Sequence, residues 1–187
     1  MSCTCISTAR SLQGIGAQCA PSRPGVEAIY LFNHGDFTPT VATSGTSAMT
    51  VTAFSAVTGT SKVYEYCLPK NTASLSSPMS VSDEGFVTFA NTISMQFNRL
   101  CARKHAEIQA IALAPVDAIV KDKNGKYWFV GYDEYLAPTD GNADTGASTS
   151  DRNGYSLTLV AESAYLPFEI DYDLFKDYIE TPATDEC

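Results

Sequence analysis

A mainly β fold, a sandwich or barrel flanked by one α-helix, is what the sequence predicts, and three observations carry the expectation. Ten Tyr, nine Phe and abundant Thr and Val enrich the 187-residue chain in strand formers. Several segments alternate apolar and polar residues with the period of two that half-buried strands show. One stretch, about residues 99–113, repeats its apolar residues at helical spacing instead. With 44% hydrophobic and 18% charged residues, the composition is that of an ordinary globular chain, long enough for one domain with a sizeable core.

The elements follow in order. Residues 1–25 are rich in Ser, Gly and Pro and lack periodicity, which predicts an arm ordered only against a partner; residues 26–187 then form a single domain with a C-terminal extension. VEAIYLFN, 26–33, is a compact apolar strand, and HGDFTPT after it carries turn formers. Residues 46–57 alternate, with Met49, Val51 and Ala53 on one face. In 61–69, Val63, Glu65 and Cys67 oppose Tyr64, Tyr66 and Leu68 until Pro69 ends the strand. NTASLSSPMSVSDEG, 71–85, reads as a Ser-rich loop.

Residues 86–100 alternate over an unusual length: Phe86, Thr88, Ala90, Thr92, Ser94, Gln96 and Asn98 make one mostly small, polar face, and Val87, Phe89, Asn91, Ile93, Met95 and Phe97 a largely apolar one. At ~3.3 Å per residue such a strand extends roughly 40–50 Å, enough to reach past its own subunit. The helix comes next: Leu100, Cys101, Ile108, Ile111 and Ala112 oppose Arg99, Arg103, Lys104, Glu107 and Gln109, and Pro115 stops it. Residues 116–123 and 126–136 pair as a hairpin across Asn124-Gly125, a dipeptide that favours the two-residue type I′ turn. The polar stretch 137–154 is a long loop, expected to order on assembly, and YSLTLVAESAYLPFEI, 155–170, is a last long strand.

Charge and motif content bound the function. A net charge of −9 argues against a surface that grips nucleic-acid phosphates, since that binding draws on Lys and Arg displacing counterions. The N-terminal residues lack the basic leader and apolar run of a signal peptide, and no stretch approaches the ~20 apolar residues of a membrane-spanning helix. Six cysteines in that context are expected as free thiols, Cys67 and Cys101 as small core residues. Cys3, Cys5 and Cys19 make a poor zinc site, because one intervening residue hinders tetrahedral ligation by both thiolates. Asp140, Asp144 and Asp151 lack the ligand rhythm of a calcium loop.

His34, with Asp36 near it, reads as a turn residue, and His105 as a surface or interface residue of the helix, since Glu107 two positions on faces elsewhere. No phosphate-binding, zincin or nucleophile-elbow motif is present. The sequence therefore assigns no catalytic residue, cofactor or metal site, and predicts a protein that is not an enzyme.

NGKYWFVGY at 124–132, Thr145-Gly146 in the polar stretch and DRNGYSLTLVAE at 151–162, following strands and a central helix, resemble the tail tube proteins of tailed bacteriophages. The resemblance covers roughly residues 81–170 and extends to the tail hub and ring proteins that share that fold. It implies a β-sandwich or barrel of tail-tube type with long hairpins, whose copies close into a ring, expected with six-fold symmetry. DNA would pass through the channel without specific binding, an acidic wall repelling its phosphates. It further implies contacts with other tail or neck proteins and residence in the virion, after assembly in the bacterial cytoplasm. The competing reading is a monomeric carbohydrate-binding sandwich, with Tyr127, Trp128, Tyr132 and Tyr135 stacking on sugars.

Overall fold

The computed structural model describes residues 22–42, 48–148 and 150–182. Thirteen strands and one helix make it up. β1 (Val26–Asn33), β2 (Phe37–Ala42), β3 (Thr50–Ala56) and β4 (Val63–Cys67) come first. β5 (Ala73–Ser76), β6 (Met79–Val81) and the twelve-residue β7 (Val87–Asn98) lead into α1 (Ala102–Leu113). β8 (Val116–Asp122), β9 (Tyr127–Val130), β10 (Ala137–Asp144), β11 (Gly154–Ser163), β12 (Phe168–Ile170) and β13 (Ile179–Glu180) complete the chain.

Two sheets result. One has eight strands in the order β13-β4-β1-β8-β9-β12-β3-β2; the other has five, β10-β11-β7-β5 with β6 paired to the far part of β7. The larger sheet serves two cores. Ile29, Leu31, Ala118 and Val120 face the smaller sheet and pack with Ile93, Met95, Leu157 and Leu159. The alternate residues of the same strands, Tyr30, Phe32 and Ile119, meet Phe37, Phe54, Phe129, Phe168 and Phe175 in a second core around which that sheet curls. Burial on both faces explains why β1 reads as a continuous apolar run rather than an alternating one.

The mainly β class, the two-sheet architecture and the single helix agree with the sequence, and β1 and β7 fall where their patterns put them. Several features differ. Residues 137–144, read as loop, form β10, which pairs with β11 from Ala137↔Val160 to Asp144↔Gly154. It is polar throughout because it lies at the edge of the sheet and is exposed along nearly all its length. The Ser-rich 71–85 stretch likewise yields β5 and β6, and the turn-former segment yields β2, with Pro39 on an edge strand where its missing N–H costs least.

The helix begins at Ala102, not 99, because Arg99 takes a left-handed conformation (φ 62°) that turns the chain out of β7. Asn153 holds this corner, its backbone carbonyl accepting from the Arg99 N–H and its side chain from the Leu100 N–H. The Asn124-Gly125 turn is not the two-residue type I′ form. Lys121↔Tyr127 is the last strand pair, Asp122 N–H donates to the Lys126 carbonyl, and only Gly125 has positive φ (80°). This is a three-residue loop, a type I turn closed by a left-handed glycine. Asp122 selects it by accepting the N–H groups of Asn124 (2.8 Å) and Lys126 (2.9 Å).

Of the expected N-terminal arm, residues 1–21 lie outside the described residues. Arg23 is tied to the hairpin loop, its N–H donating to Asn124 Oδ1 at 2.7 Å. At the C-terminal end, two short 3-10 turns carry Phe175 into the second core, and β13 runs parallel to β4.

Candidate functional site

The five-stranded sheet has one face in the core and one face that no described element covers. Register assigns the second face. Ser94 of β7 pairs with Ser74 of β5 on one side and with Thr158 of β11 on the other, and Thr158 pairs with Asp140 of β10. A parallel row runs from Ser76 through Thr92 to Val160, and another through Gln96, Ser156 and Asn142. Val160 is the largest aliphatic side chain on this face among the described residues. Ser94 and Thr158 hydroxyls lie 3.3 Å apart, and Arg152 bonds the Gln96 side chain and the carbonyls of Phe97 and Tyr155. Asp140, Asp144 and Glu162 outnumber Arg152 and leave the face net negative.

Two edges flank it. β10 ends the sheet on one side, β5 and β6 on the other, and neither outer edge has a strand partner among the described residues. An uncapped edge is a row of unpaired N–H and C=O groups, able to template a further strand. Beside β10 a groove of about 510 Å³ separates it from α1, lined by His105, Ile108, Ala112, Tyr155 and Leu157 among others.

At the far end of β7 the β6–β7 hairpin overhangs the body. Met79 pairs with Phe89 and Val81 with Val87, which continues the inner, apolar face of the strand beyond the core. Met79, Val81, Phe86 and Val87 are 64%, 58%, 68% and 44% exposed. The sequence showed the long alternation but not that its first residues outrun the core; nothing in the pattern marks where intramolecular cover stops.

The histidines find other partners than their sequence neighbours. His34 Nδ1 lies 2.9 Å from Asp117 Oδ1, not against Asp36, which accepts from Asn33 instead. Asp117 is buried, and that burial raises its carboxyl to about 6, although the hydrogen bond and charge of His34 pull it down. Gly131 packs onto the pair so closely that a Cβ there would stand 2.2 Å from Asp117 Oδ1. The sequence did not single out Asp117, which lies 83 residues from its partner. His105 meets the Tyr155 hydroxyl at 2.9 Å, and Glu107 accepts from Tyr66. Burial, then the bond to Glu107, raises the Tyr66 phenol well above its usual range.

The remaining candidates do not converge. Cys3, Cys5 and Cys19 lie outside the described residues. Cys67 is free and exposed rather than core, and Cys101 is disulfide-bonded, which corrects the expectation of free thiols. Asp140 and Asp144 stand on the open strand β10, whereas Asp151 accepts the N–H groups of Ala147 and Ser148. Among the described residues no group of three or more His, Cys, Asp or Glu could hold a metal ion. Gly146 of the Thr145-Gly146 pair makes a left-handed turn (φ 72°). The four aromatics of the sugar-binding reading form no common platform. Tyr127 stacks on Tyr172 over the second core, Trp128 points to the opposite face with its indole N–H toward Asp122, and Tyr132 packs on Phe168.

Among the described residues no helix is long and apolar enough to cross a membrane. Comparison with protein-family models, with curated proteins and with solved structures found no match to this chain.

Proposed function

We propose that the protein is a virion structural subunit of a bacteriophage tail, a tube, hub or ring component. Its five-stranded sheet joins those of neighbouring copies edge to edge and closes into a ring around a channel for DNA. The observation that carries this reading is the polar, uncovered sheet face flanked by two unpaired edges. A face of Ser, Thr, Asn and Gln with carboxylates costs nothing to keep in water, and the edges supply the heterologous contacts from which rings are built. Asp140, Asp144 and Glu162 would line the wall and repel phosphates, so that DNA slides without adhering. The resemblance to tail tube proteins supplies the phage context, the six-fold expectation, the neck or tail partners and residence in the virion.

Negative-stain imaging with light scattering tests the proposal. Rings with a solvent-filled lumen, and no retention of duplex DNA in a gel shift at 50–100 mM salt, are the expected results. Compact 20 kDa monomers at high protein concentration would overturn it.

A further inference from the structure

Cys101 is disulfide-bonded and Cys67 is free, while Cys3, Cys5, Cys19 and Cys187 lie outside the described residues. The partner of Cys101 is therefore one of those four, and the bond ties its segment to the corner where β7 turns into α1. Cys101 is the N-cap of that helix, in extended conformation, and its side chain caps no backbone N–H. The first turn holds no acidic residue, whereas Arg103 and Lys104 stand on it and Arg99 just before it. The partial positive charge of the helix N-terminus adds to theirs. Acids of the adjoining segments are engaged elsewhere or stand further off. Glu107 accepts from Tyr66, Asp144 from the Gly146 N–H, and Asp151 from Ala147 and Ser148, while Asp140 lies further along β10, level with Thr158.

Charge discriminates among the four candidates. Residues 1–21 hold one basic residue, Arg10, and no acid, so Cys3, Cys5 and Cys19 belong to a segment that this corner repels. Cys187 directly follows Asp185 and Glu186. Reach agrees. β13 runs parallel to β4, Ile179 beside Val63 and Glu180 beside Tyr64, which heads the chain along β4 toward Tyr66. Tyr66 packs on Phe97 and donates to Glu107 of α1. Glu107 is six residues beyond Cys101, ~9 Å along the helix axis. The five residues from Pro182 to Cys187 extend to ~17 Å.

We propose that Cys101 pairs with Cys187 and that the bond is a redox-sensitive strap, holding residues 183–187 across the start of α1 with Asp185 and Glu186 against Arg99, Arg103 and Lys104. The same surroundings make it labile. A thiolate at a helix N-terminus beside cationic side chains is stabilised, so Cys101 is the better leaving group of the pair. The thiolate of a glutathione-class monothiol attacks Cys187 Sγ, the protein S–S bond breaks, and Cys101 departs with the electron pair. A second monothiol attacks the small-thiol sulfur of the mixed disulfide and frees Cys187 as thiolate. The two cysteines gain two electrons, and the two monothiols end as their disulfide. Reduction releases the segment from α1 and oxidation closes it again; neither step depends on the proposed ring.

Tryptic digestion without reductant reads the pairing by mass. Peptide 100–103 linked to peptide 177–187 is the expected product, and its linkage to a peptide carrying Cys3, Cys5 or Cys19 overturns the assignment. Lability is read on the folded protein, with circular dichroism as the check on folding. Millimolar glutathione should open Cys101 to alkylation, and oxidised glutathione should close it again. A bond that yields only in denaturant refutes the switch. Arg103→Glu/Lys104→Glu should slow native-state reduction about threefold or more while leaving the rate in urea unchanged, because the helix and its charges act on the leaving thiolate only when folded. An unchanged native rate, or equal slowing in both conditions, refutes the electrostatic origin of the lability.

Discussion

Gly131→Ala is the sharpest test of how the His34–Asp117 pair is held. Gly131 has φ 115°, a conformation that L side chains rarely adopt, so alanine there carries strain of about 1–3 kcal/mol before any contact is made. The added Cβ would also stand 2.2 Å from Asp117 Oδ1 and 2.7 Å from its Cγ. The carboxylate has to retreat by about 1 Å to reach an ordinary contact distance, which breaks a pair now 2.9 and 3.1 Å from His34 Nδ1. Asp117 is 4% exposed, so water cannot fully replace the partner; losing a hydrogen bond to a buried charged group costs about 1.5–3 kcal/mol. The expected loss is about 2.5–6 kcal/mol, from the two terms together. Urea unfolding, followed through the single tryptophan, Trp128, measures it. In an Asp117→Ala background there is no carboxylate to displace, and the same substitution should cost only the strain. A loss below about 1 kcal/mol, or equal losses in both backgrounds, would refute the account of the packing.

Asp117 is raised from 3.8 to about 6 by burial, so the folded state favours its protonated form. The stability this contributes is fully present below about pH 4 and is lost as pH rises through about 6, some 2–3 kcal/mol in all; Asp117→Asn should remove that dependence in unfolding titrations from pH 4 to 7. Gly125→Val should destabilise by at least about 1–3 kcal/mol through backbone strain alone, since nothing lies within 4 Å of a Cβ there, and Gly125→Asn should recover most of it in thermal melts. Gly154→Ala places a Cβ 2.1 Å from the Phe97 carbonyl, so β11 and β7 must part at that end; amide exchange at Tyr155 and Phe97 should quicken while the opposite end of the pair, at Ser163, keeps its protection.

Where the sequence carried its own physical signal, the fold was legible. β7 alternates because one face meets Ile29, Leu31, Ala118 and Val120 of the larger sheet while the other meets water, and the pattern named both faces correctly over Ile93 and Met95. The hairpin was found but its turn mistaken, although Asp122-Lys123-Asn124-Gly125 holds the real cue: Asp at the first and Gly at the fourth position of a type I turn. β10 was missed because an edge strand with little burial has no apolar period to show, and its Gly141 and Pro138 weigh toward loop. The second core was hidden because it depends on how far the large sheet curls, a property of pairings such as parallel β12–β3 that join distant segments. The uncovered polar face was half legible: its residues on β7 were named, but their partners on β10 were not, since that strand was not recognised.

The overhang shows what alternation encodes when it outruns the fold. Within the body, the inner residues of β7 need be apolar only where the opposing sheet covers them, from Phe89 or Asn91 onward. Asn91 itself is buried with its side-chain oxygen lacking a partner, so the edge of the intramolecular core already tolerates a polar group there. Beyond that point folding alone sets no requirement for Val87, Val81 and Met79 to be apolar, and exposed apolar residues on a hairpin are a solubility and aggregation cost. Their persistence on the same face, with Ser80 and Thr88 kept on the other, is the pattern of a strand that is half buried along its whole length.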